Sequence, residues 1–270
     1  ENAKTNMSGL SFKYIWEITD GYPVLNVRGE IWNGSVASSY DDFEGNGTAA
    51  DPYIIKNGAQ LAFAVSKNSN LTDGSYFKLA NDIVLNDTSF EGWEAGATPW
   101  LWNNHARFNG TLDGDGHTIE GLYYSGSQKR MGLFSYVGAK NSVACTIKNF
   151  TLKGAYINNT VTEEGSSFIA GQTSGAATFE NIYIDENCVL NAPNVTGVGG
   201  ISGRGNSNGN KAGAVINNCA VLGSITGKSA VGAFTGTYWA ADAYVNINGS
   251  FTTANYPLSG NKVLTDSAKN

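Results

Sequence analysis

The chain has 270 residues, of which 15% are charged and 41% hydrophobic, and its formal net charge is −6. This balance excludes an intrinsically disordered chain, and the absence of a Lys/Arg cluster disfavours nucleic acid as a partner. The 34 glycines predict frequent turns and little helix. No apolar run reaches the roughly 18 residues of a membrane span, and no signal peptide is recognised.

The chain has three cysteines, Cys145, Cys188 and Cys219, which are far apart in sequence and form no Cys-x-x-Cys pair. An odd number excludes a framework in which every cysteine is paired within the chain. We therefore expect the three side chains to be buried as small hydrophobic groups.

Residues 1–35 predict an N-terminal cap or the remnant of a preceding module. Within them, Trp16–Leu25 (WEITDGYPVL) predicts two strands around an Asp-Gly turn. Residues 36–52 are rich in Ser, Gly and Asp and predict a loop.

One helix signal follows this loop. Asn57 can cap a helix over Gly58–Ser66, and Gln60 lies three residues later, as in a capping box. Such a helix would cover apolar surface and open strand edges at the end of a stacked β-structure.

Beyond the helix, Tyr76–Leu85 alternates and predicts a strand, and residues 86–106 form an aromatic insertion. The next stretch, residues 107–124, predicts the first full rung of a solenoid. Its two predicted strands, Phe108–Leu112 and His117–Tyr124, flank a tight Asp-Gly-Asp-Gly corner whose glycines permit positive φ.

From residue 131 the chain repeats itself. The half-rungs MGLFSY, FIAGQTSG, VGGISG and VGAFTG align on their second residues, Gly132, Ile169, Gly199 and Gly232, with spacings of 37, 30 and 33. Strand-like segments between them align on Asn149, Asn181, Asn218 and Asn248, with spacings of 32, 37 and 30. Two registers with one mean period indicate a solenoid whose coils bury their apolar side chains against each other.

Stacked coils place equivalent side chains in columns. We expect Phe150, Ile182 and Cys219 to share one inward column, and the apolar residues of the first rung to point inward as well: Leu112, Ile119 and Leu122. Asparagine at equivalent corners tolerates left-handed φ, and its amide can bond to the asparagine above or below. An asparagine line therefore needs no ligand to explain it.

These residues resemble the GLUG-repeat, filamentous-haemagglutinin-like proteins of bacterial surfaces. The resemblance is carried by VGGISG, VGAFTG, DPYIIKNGAQLAFAV, YFKLANDIVL and FNGTLDGDGHTIEGL, and it covers roughly residues 45–255. It implies a right-handed parallel β-helix in a secreted or surface-anchored protein. We therefore expect an all-β solenoid over residues 36–255 with a short N-terminal capping helix, followed by a tail or cap over 256–270.

Two departures from the family pattern stand out. FIAGQTSG lacks the first glycine of its half-rung, which predicts a looser or shifted rung. The closing Trp…Gly-Tyr-Pro motif of these modules is missing after residue 255 and is found instead in Trp16–Leu25. The chain is therefore interpreted as one slice of a longer protein or as its capped end.

Asp113 and Asp115 are candidate acid–base carboxylates. In an extended chain they would share one face about 6.6 Å apart, a separation that could suit hydrolysis of a glycosidic bond. The alternative is turn chemistry, in which the two aspartates bond to backbone amides. The sequence favours the second interpretation, because no Lys or Arg lies within the same corner to act as the base of a lyase.

Calcium is a second hypothesis for that corner, because hard oxygen ligands in a flexible loop suit this ion. The acidic loop residues offer another place for it: Asp41, Asp42, Glu44 and Asp51. Asp113 and Asp115 lack the third ligand and the spaced Glu of an EF-hand loop. No cofactor other than calcium is expected.

Only two histidines exist, His105 and His117, and no Cys or acidic partner is spaced for a zinc site. No nucleophile elbow accompanies them, so a Ser-His-Asp triad has no support in the sequence. His117 is expected to end a turn, and His105 lies in the insertion.

Aromatic residues are the best candidates for non-catalytic binding. Trp93, Trp100 and Trp102 in the insertion could stack on sugar rings, with His105 supplying hydrogen bonds. Tyr238 and Trp239 could act in the same way. The alternative for both groups is packing against the solenoid, which is where most large aromatic side chains are found.

We favour a non-enzymatic, secreted or cell-surface module that serves as an adhesin or binds carbohydrate. A polysaccharide lyase or glycoside hydrolase is one alternative, and a structural spacer is another. The expected partners are polysaccharide or a host surface glycan or protein. Nucleic acid and a membrane span are not expected.

Overall fold

The structure is a computed structural model. It describes residues 30–66, 74–95, 99–103, 107–138, 145–163, 165–205, 213–238, 243–253 and 255–260, together with the backbone of 16–19 and 22–25. Twenty-three strands, numbered β1 to β23 in chain order, lie within these ranges.

Almost all of these strands pair in parallel and stack into a β-solenoid, as the sequence predicts, and the solenoid has three sheets. The largest, sheet I, contains β3 (Tyr53–Ile55), β4 (Tyr76–Leu79), β5 (Ile83–Val84), β7 (Thr111–Asp113), β8 (Thr118–Glu120), β11 (Cys145–Lys153), β15 (Ala176–Ile184), β18 (Gly213–Asn217), β19 (Ala220–Val221), β22 (Tyr244–Asn248) and β23 (Phe251–Thr252).

Two five-stranded sheets complete each coil. Sheet II contains β6 (Arg107–Phe108), β10 (Phe134–Val137), β14 (Ala170–Thr173), β17 (Ser202–Gly205) and β21 (Thr235–Tyr238). Sheet III contains β9 (Tyr123–Gly126), β12 (Tyr156–Asn159), β13 (Ser166–Ser167), β16 (Val189–Gly199) and β20 (Ser224–Gly232). From β6 to β21 the chain passes through all three sheets in each turn, so residues about one period apart become neighbours.

Apolar columns fill the interior of the solenoid. The pairing register aligns one buried column of sheet I, formed by Phe77, Leu112, Ile147, Phe179, Ile216 and Ile247. A second column contains Phe150 and Ile182, with Cys219 continuing it, and all three are at most 2% exposed. Both confirm the predicted stacking. Parallel strands buried in this way stabilise the fold mainly by removing apolar area from water.

The corners of sheet I carry the asparagine line. Asn149, Asn181 and Asn218 have φ of 61°, 52° and 51° respectively, in the left-handed region, as expected. The last rung differs, because Asn248 pairs with Asn217 and the left-handed position is occupied by Gly249. The predicted alignment on Asn248 was therefore wrong by one residue, since Asn and Gly are both tolerated at positive φ.

The half-rung around Phe168 is also shifted relative to the prediction. Gly199 pairs with Gly232 on one side and with Ser167 on the other, so Ile169 is not the equivalent residue. Ile169 is instead completely buried. The predicted alignment of this half-rung was therefore wrong by two residues. Ser167, and not Ile169, occupies the position that glycine has in the other half-rungs.

The segments around the central rung are more finely divided than predicted. Residues 107–126 form four short strands, β6 to β9, instead of two, because the chain turns between sheets at residues 109–110 and 121–122 as well as at the Asp-Gly corner. Residues 76–85 likewise form β4 and β5. Leu112, Ile119 and Leu122 are completely buried, which confirms their predicted inward orientation.

The predicted helix, α1, spans Gly58–Ser66. The amide N–H of Gln60 donates to Asn57 Oδ1 at 3.0 Å, as an N-cap requires, while Gln60 Oε1 accepts from the N–H of Lys56 at 2.7 Å. The reciprocal bond thus goes to the residue before the cap. Leu61, Ala62, Phe63, Ala64 and Val65 are buried against the end of the core.

The N-terminal segment forms a hairpin in which β1 (Trp16–Thr19) pairs antiparallel with β2 (Tyr22–Leu25), as predicted. The loop before α1 contains a 3-10 helix, Tyr40–Asp42. Divisions of the chain near residues 35 and 255 stay predictions. Within the described residues, no helix is long and apolar enough to cross a membrane.

The three cysteines are buried and free, which confirms their expected role as small core residues. The Cys188 thiol donates to Asp185 Oδ1 at 3.1 Å. Burial and the neighbouring Asp185 carboxylate raise the pKa of Cys188 well above its usual value, and burial raises the pKa of Cys219 to about 12.

Candidate functional site

Two of the aromatic candidates are core residues. Trp102 is 2% exposed, lies edge-on to Trp32 with ring centroids 5.5 Å apart, and donates its indole N–H to the Leu133 carbonyl at 3.0 Å. Its side chain is therefore enclosed, and the packing alternative applies to it. This corrects the expectation that it faces a ligand.

Tyr238 is 1% exposed, so it too belongs to the core and leaves the candidate site. Its hydroxyl lies 2.9 Å from the hydroxyls of Thr173 and Ser202. Burial raises its pKa to about 12, because the charged phenolate is disfavoured away from water. Its neighbour Trp239 and the insertion residue His105 lie outside the described residues.

The carboxylates of the Asp-Gly corner are engaged by their surroundings. Asp113 Oδ1 accepts from the N–H of Asp115 and from Asn149 Nδ2, each at 2.9 Å, and its Oδ2 lies 3.2 Å from Lys148 Nζ. Asp115 Oδ2 lies 2.9 Å from Lys78 Nζ. Burial alone would raise the pKa of Asp113, but these hydrogen bonds and the Lys148 charge together hold it below its usual value.

The two lysines come from the two rungs on either side of Asp113, which pairs in register with Lys78 of β4 and with Lys148 of β11. Neither lysine is predicted from the sequence of the corner itself, because both lie on neighbouring rungs. This arrangement favours the structural interpretation of the two aspartates, because their oxygens satisfy a turn amide, an asparagine and two lysines.

The acidic loop before α1 is similarly occupied. Asp42 Oδ2 accepts from the N–H groups of Ser38 and Ser39 at 2.7 and 3.2 Å, and these bonds lower its pKa. Glu44 pairs with Lys56. Within the described ranges, no three His, Cys, Asp or Glu side chains are grouped closely enough to hold a metal. Calcium at either place stays a prediction.

His117 ends the corner as expected. Its Nδ1 lies 3.2 Å from Asp82 Oδ1, which also accepts from the N–H of Thr118 at 2.9 Å. The pair links two neighbouring coils at the surface.

The remaining insertion tryptophans lie at the surface. Trp100 is 48% exposed, and one face of its ring covers Gly34, where a Cβ would approach the ring to 2.4 Å. Trp93 begins a short 3-10 helix, Trp93–Ala95, and is half-buried. Its ring contacts Tyr123 of sheet III edge-on at a centroid distance of 6.0 Å.

Trp93 thereby joins an aromatic column, which consists of Trp93, Tyr123 and Tyr156. The two tyrosines are paired on β9 and β12, and their half-buried rings are stacked with centroids 5.8 Å apart and planes 12° apart. The next position is Val189, which is smaller. The far side of the Tyr156 ring is therefore bordered by the aliphatic side chain of Val189 and not by another ring.

An amide column runs beside the aromatic column on the same face of sheet III, because residues two apart on a strand point to the same side. It consists of Ser125, Asn158 and Asn191. Asn191 Nδ2 donates to Asn158 Oδ1 at 3.0 Å, and Asn158 Nδ2 donates to Ser125 Oγ at 3.3 Å. Two parallel rows, one aromatic and one amide, thus follow the solenoid axis.

The aromatic column leads into a cleft of about 560 Å³ between the insertion and the edge of sheet I. Trp93 and Phe90 provide its apolar wall, and the opposite wall is formed by Lys153 and by residues 185–187. Glu91 and Glu186 are exposed there, and Lys153 Nζ lies 3.4 Å from Glu120 Oε2. Carboxylates outnumber cations, so the cleft suits a neutral or cationic ligand better than an anionic one.

Trp93 is among the residues predicted from the sequence, whereas Tyr123, Tyr156 and the amide column are not. A signal for them was present, because Tyr123 and Tyr156 are 33 residues apart, as are Asn158 and Asn191. Both spacings match the repeat period. Applying that period to outward-facing polar and aromatic residues, and not only to core positions, would have found these rows.

No model of a known protein family matches the sequence. The chain is 34% identical over 124 residues to halomucin from Haloquadratum walsbyi, a match that covers 44% of this chain and 1% of that protein. A crystal structure from Bacteroides ovatus, provisionally described as an immunoglobulin A1 protease, aligns at 18% identity over 82% of this chain and 79% of that chain. Its TM-score is 0.30, too low to carry an argument about either fold or activity.

Proposed function

We propose that this chain is a non-enzymatic binding module of a secreted or surface protein, and that sheet III binds a neutral polysaccharide. The observation that carries the proposal is the pairing of the aromatic column with the amide column. Sugar rings present apolar C–H faces that stack on aromatic side chains and hydroxyls that bond to amides. The resemblance of the repeats to those of bacterial surface proteins supports a secreted or surface location.

The geometry supports an extended ligand in particular. Neighbouring parallel strands are about 4.8 Å apart, so the two columns offer contacts at regular intervals along the solenoid. The smaller side chain of Val189 lies beside the Tyr156 ring, and Asn158 lies two residues farther along the same strand as Tyr156. A sugar residue placed over Val189 would reach both the ring of Tyr156 and the amide of Asn191.

Binding to a panel of neutral polysaccharides, followed by titration calorimetry with the best oligosaccharide, tests this proposal. We expect Tyr156→Ala and Trp93→Ala each to weaken binding by about 1–2 kcal/mol, as loss of one stacking contact does. Tyr183→Ala is the matched control, because Tyr183 is 41% exposed on sheet I, away from the columns. Equal losses in all three variants, or no binding to any neutral glycan, would contradict the proposal.

A polysaccharide lyase or hydrolase is the second candidate, and the cleft supports the hydrolase, because lyases act on anionic uronates and carboxylates outnumber cations in the cleft. Lys153, Glu91 and Glu186 line one cavity beside an aromatic wall, and carboxylates next to a sugar-binding surface are the groups that glycosidic cleavage uses. Release of reducing ends or unsaturated products from a bound polysaccharide, lost in Glu91→Gln or Glu186→Gln, would favour this activity over simple binding.

A further inference from the structure

Three of the chain's four arginines lie together along sheet II, although the net charge of the chain is −6. The strand register places Arg107 beside Tyr136, Tyr136 beside Gln172, and Gln172 beside Arg204. Arg130 precedes β10 and reaches over the same column. Since the other Lys and Arg residues that the structure describes are all lysines, this concentration of guanidinium groups distinguishes sheet II from the other described faces.

Tyr136 lies at the centre of the group. The guanidinium carbon of Arg107 is 5.1 Å from the centroid of the Tyr136 ring, and that of Arg130 is 5.3 Å from it. The two guanidinium carbons are therefore at most 10.4 Å apart. Cation–π contacts attract each arginine to the ring, but the two like charges repel each other.

The backbone around Arg130 is built to hold its side chain in this place. Arg130 has a φ of 58°, in the left-handed region that non-glycine residues rarely adopt. The neighbouring Gly171 cannot carry a side chain, because a Cβ would lie 2.0 Å from the Arg130 carbonyl oxygen. Arg130 Nε donates to Gln172 Oε1 at 2.6 Å, which fixes the orientation of the guanidinium.

Neither Arg107 nor Arg130 forms an ion pair within the described part of the chain. Among the described residues, Arg107 Nη1 donates to the Gly138 carbonyl at 2.9 Å and Arg130 Nε donates to Gln172 Oε1. A guanidinium has five N–H donors, so each arginine retains most of its hydrogen-bonding capacity. The adjacent Lys129, by contrast, pairs with Glu163.

We infer that Arg107 and Arg130, held around Tyr136, form a binding site for the carboxylate or sulfate groups of an acidic polysaccharide. An oxyanion beside the Tyr136 ring and within reach of both guanidiniums relieves their repulsion and accepts charge-assisted, bidentate hydrogen bonds. A polymer with repeated acidic groups fits because the arginine-bearing positions follow the stack of strands. This site is separate from the aromatic and amide columns of sheet III and does not depend on them.

The test is binding of the full chain to three polymers by titration calorimetry: hyaluronan, which carries only carboxylates, dextran sulfate, which carries only sulfates, and neutral dextran. We expect the chain to bind hyaluronan or dextran sulfate, whichever group fits, and to bind it at least tenfold more tightly than dextran. Arg107→Gln and Arg130→Gln are each expected to weaken that binding by about tenfold, as loss of a charge-assisted pair does.

Lys129→Gln is the matched control, since it removes the same charge from the neighbouring position, and a change of less than about twofold is expected. Circular dichroism melting curves establish that each variant folds. Should Arg107→Gln unfold, Arg107→Lys retains the charge, removes the planar fork, and is expected to weaken binding severalfold. The inference is overturned if Lys129→Gln loses as much affinity as Arg130→Gln, or if neither acidic polymer binds more tightly than dextran.

Discussion

The side chain of Asn181 donates its amide to the Asn149 side-chain carbonyl at 2.8 Å, one rung away, and both residues have left-handed backbone conformations. Asn149 in turn donates to Asp113 Oδ1 at 2.9 Å. Three successive corners are thus linked by side chains as well as by the backbone ladder. Asparagine suits these corners for two reasons, its tolerance of positive φ and its ability to donate and accept in the same line.

Substitution of Asn181 separates these two reasons. Asn181→Gly retains the freedom to adopt positive φ and removes the hydrogen bond, so we expect a loss of about 1 kcal/mol in the free energy of unfolding. Asn181→Ala also introduces left-handed strain and should lose about 1 kcal/mol more. Urea unfolding measures both. If the two variants are equally stable, backbone conformation is not a reason for asparagine at this corner.

The lowered pKa of Asp113 predicts acid sensitivity. Because its folded-state pKa lies below the ordinary value, the carboxylate stabilises the fold above about pH 4 and loses this contribution as the pH falls through the folded-state pKa. Asp113→Asn should therefore be less stable than the parent chain at pH 7 by about 1 kcal/mol. The difference should shrink at pH 3 or below, as followed by urea unfolding at each pH. A stability difference that is independent of pH would show that the ionised Asp113 carboxylate is not responsible for it.

The cysteines are expected to be unreactive in the folded protein. Burial raises the pKa of Cys188 well above its usual value and that of Cys219 to about 12, so very little thiolate is present at pH 8. A disulfide reagent such as DTNB should titrate all three thiols in guanidinium chloride and react very slowly with the native chain. Rapid native reaction of one thiol would indicate local opening of the coil that contains it.

The tryptophans at positions 100 and 102 are expected to differ sharply when replaced. Trp102 is 2% exposed and hydrogen-bonded, so Trp102→Ala should cost about 3–5 kcal/mol in unfolding free energy. Trp100 is 48% exposed, so Trp100→Ala should cost about 1 kcal/mol or less. Thermal unfolding of the two variants checks this contrast, and similar losses would place both rings in the same environment.

The features that could be predicted were those that repeat along the chain. The period of the half-rungs was sufficient to predict parallel stacking, the column of Phe150 and Ile182, and left-handed corners at Asn149 and Asn181. Registers failed where the local pattern was ambiguous. Ser167 replaces a glycine within a strand, where another small residue fits, and Gly249 replaces an asparagine at a corner, where both tolerate positive φ.

The sequence alone determined that this chain is a stacked solenoid with apolar columns, because each coil has the same pattern of inward residues and none can bury them alone. Only the tertiary structure decided which aromatic rings are enclosed and which are exposed, and which lysines pair with Asp113 and Asp115. Those facts depend on residues of other coils, about one period away, that come to lie beside a given side chain. Exposure and pairing across rungs are properties of the stack, and no single segment of the chain contains them.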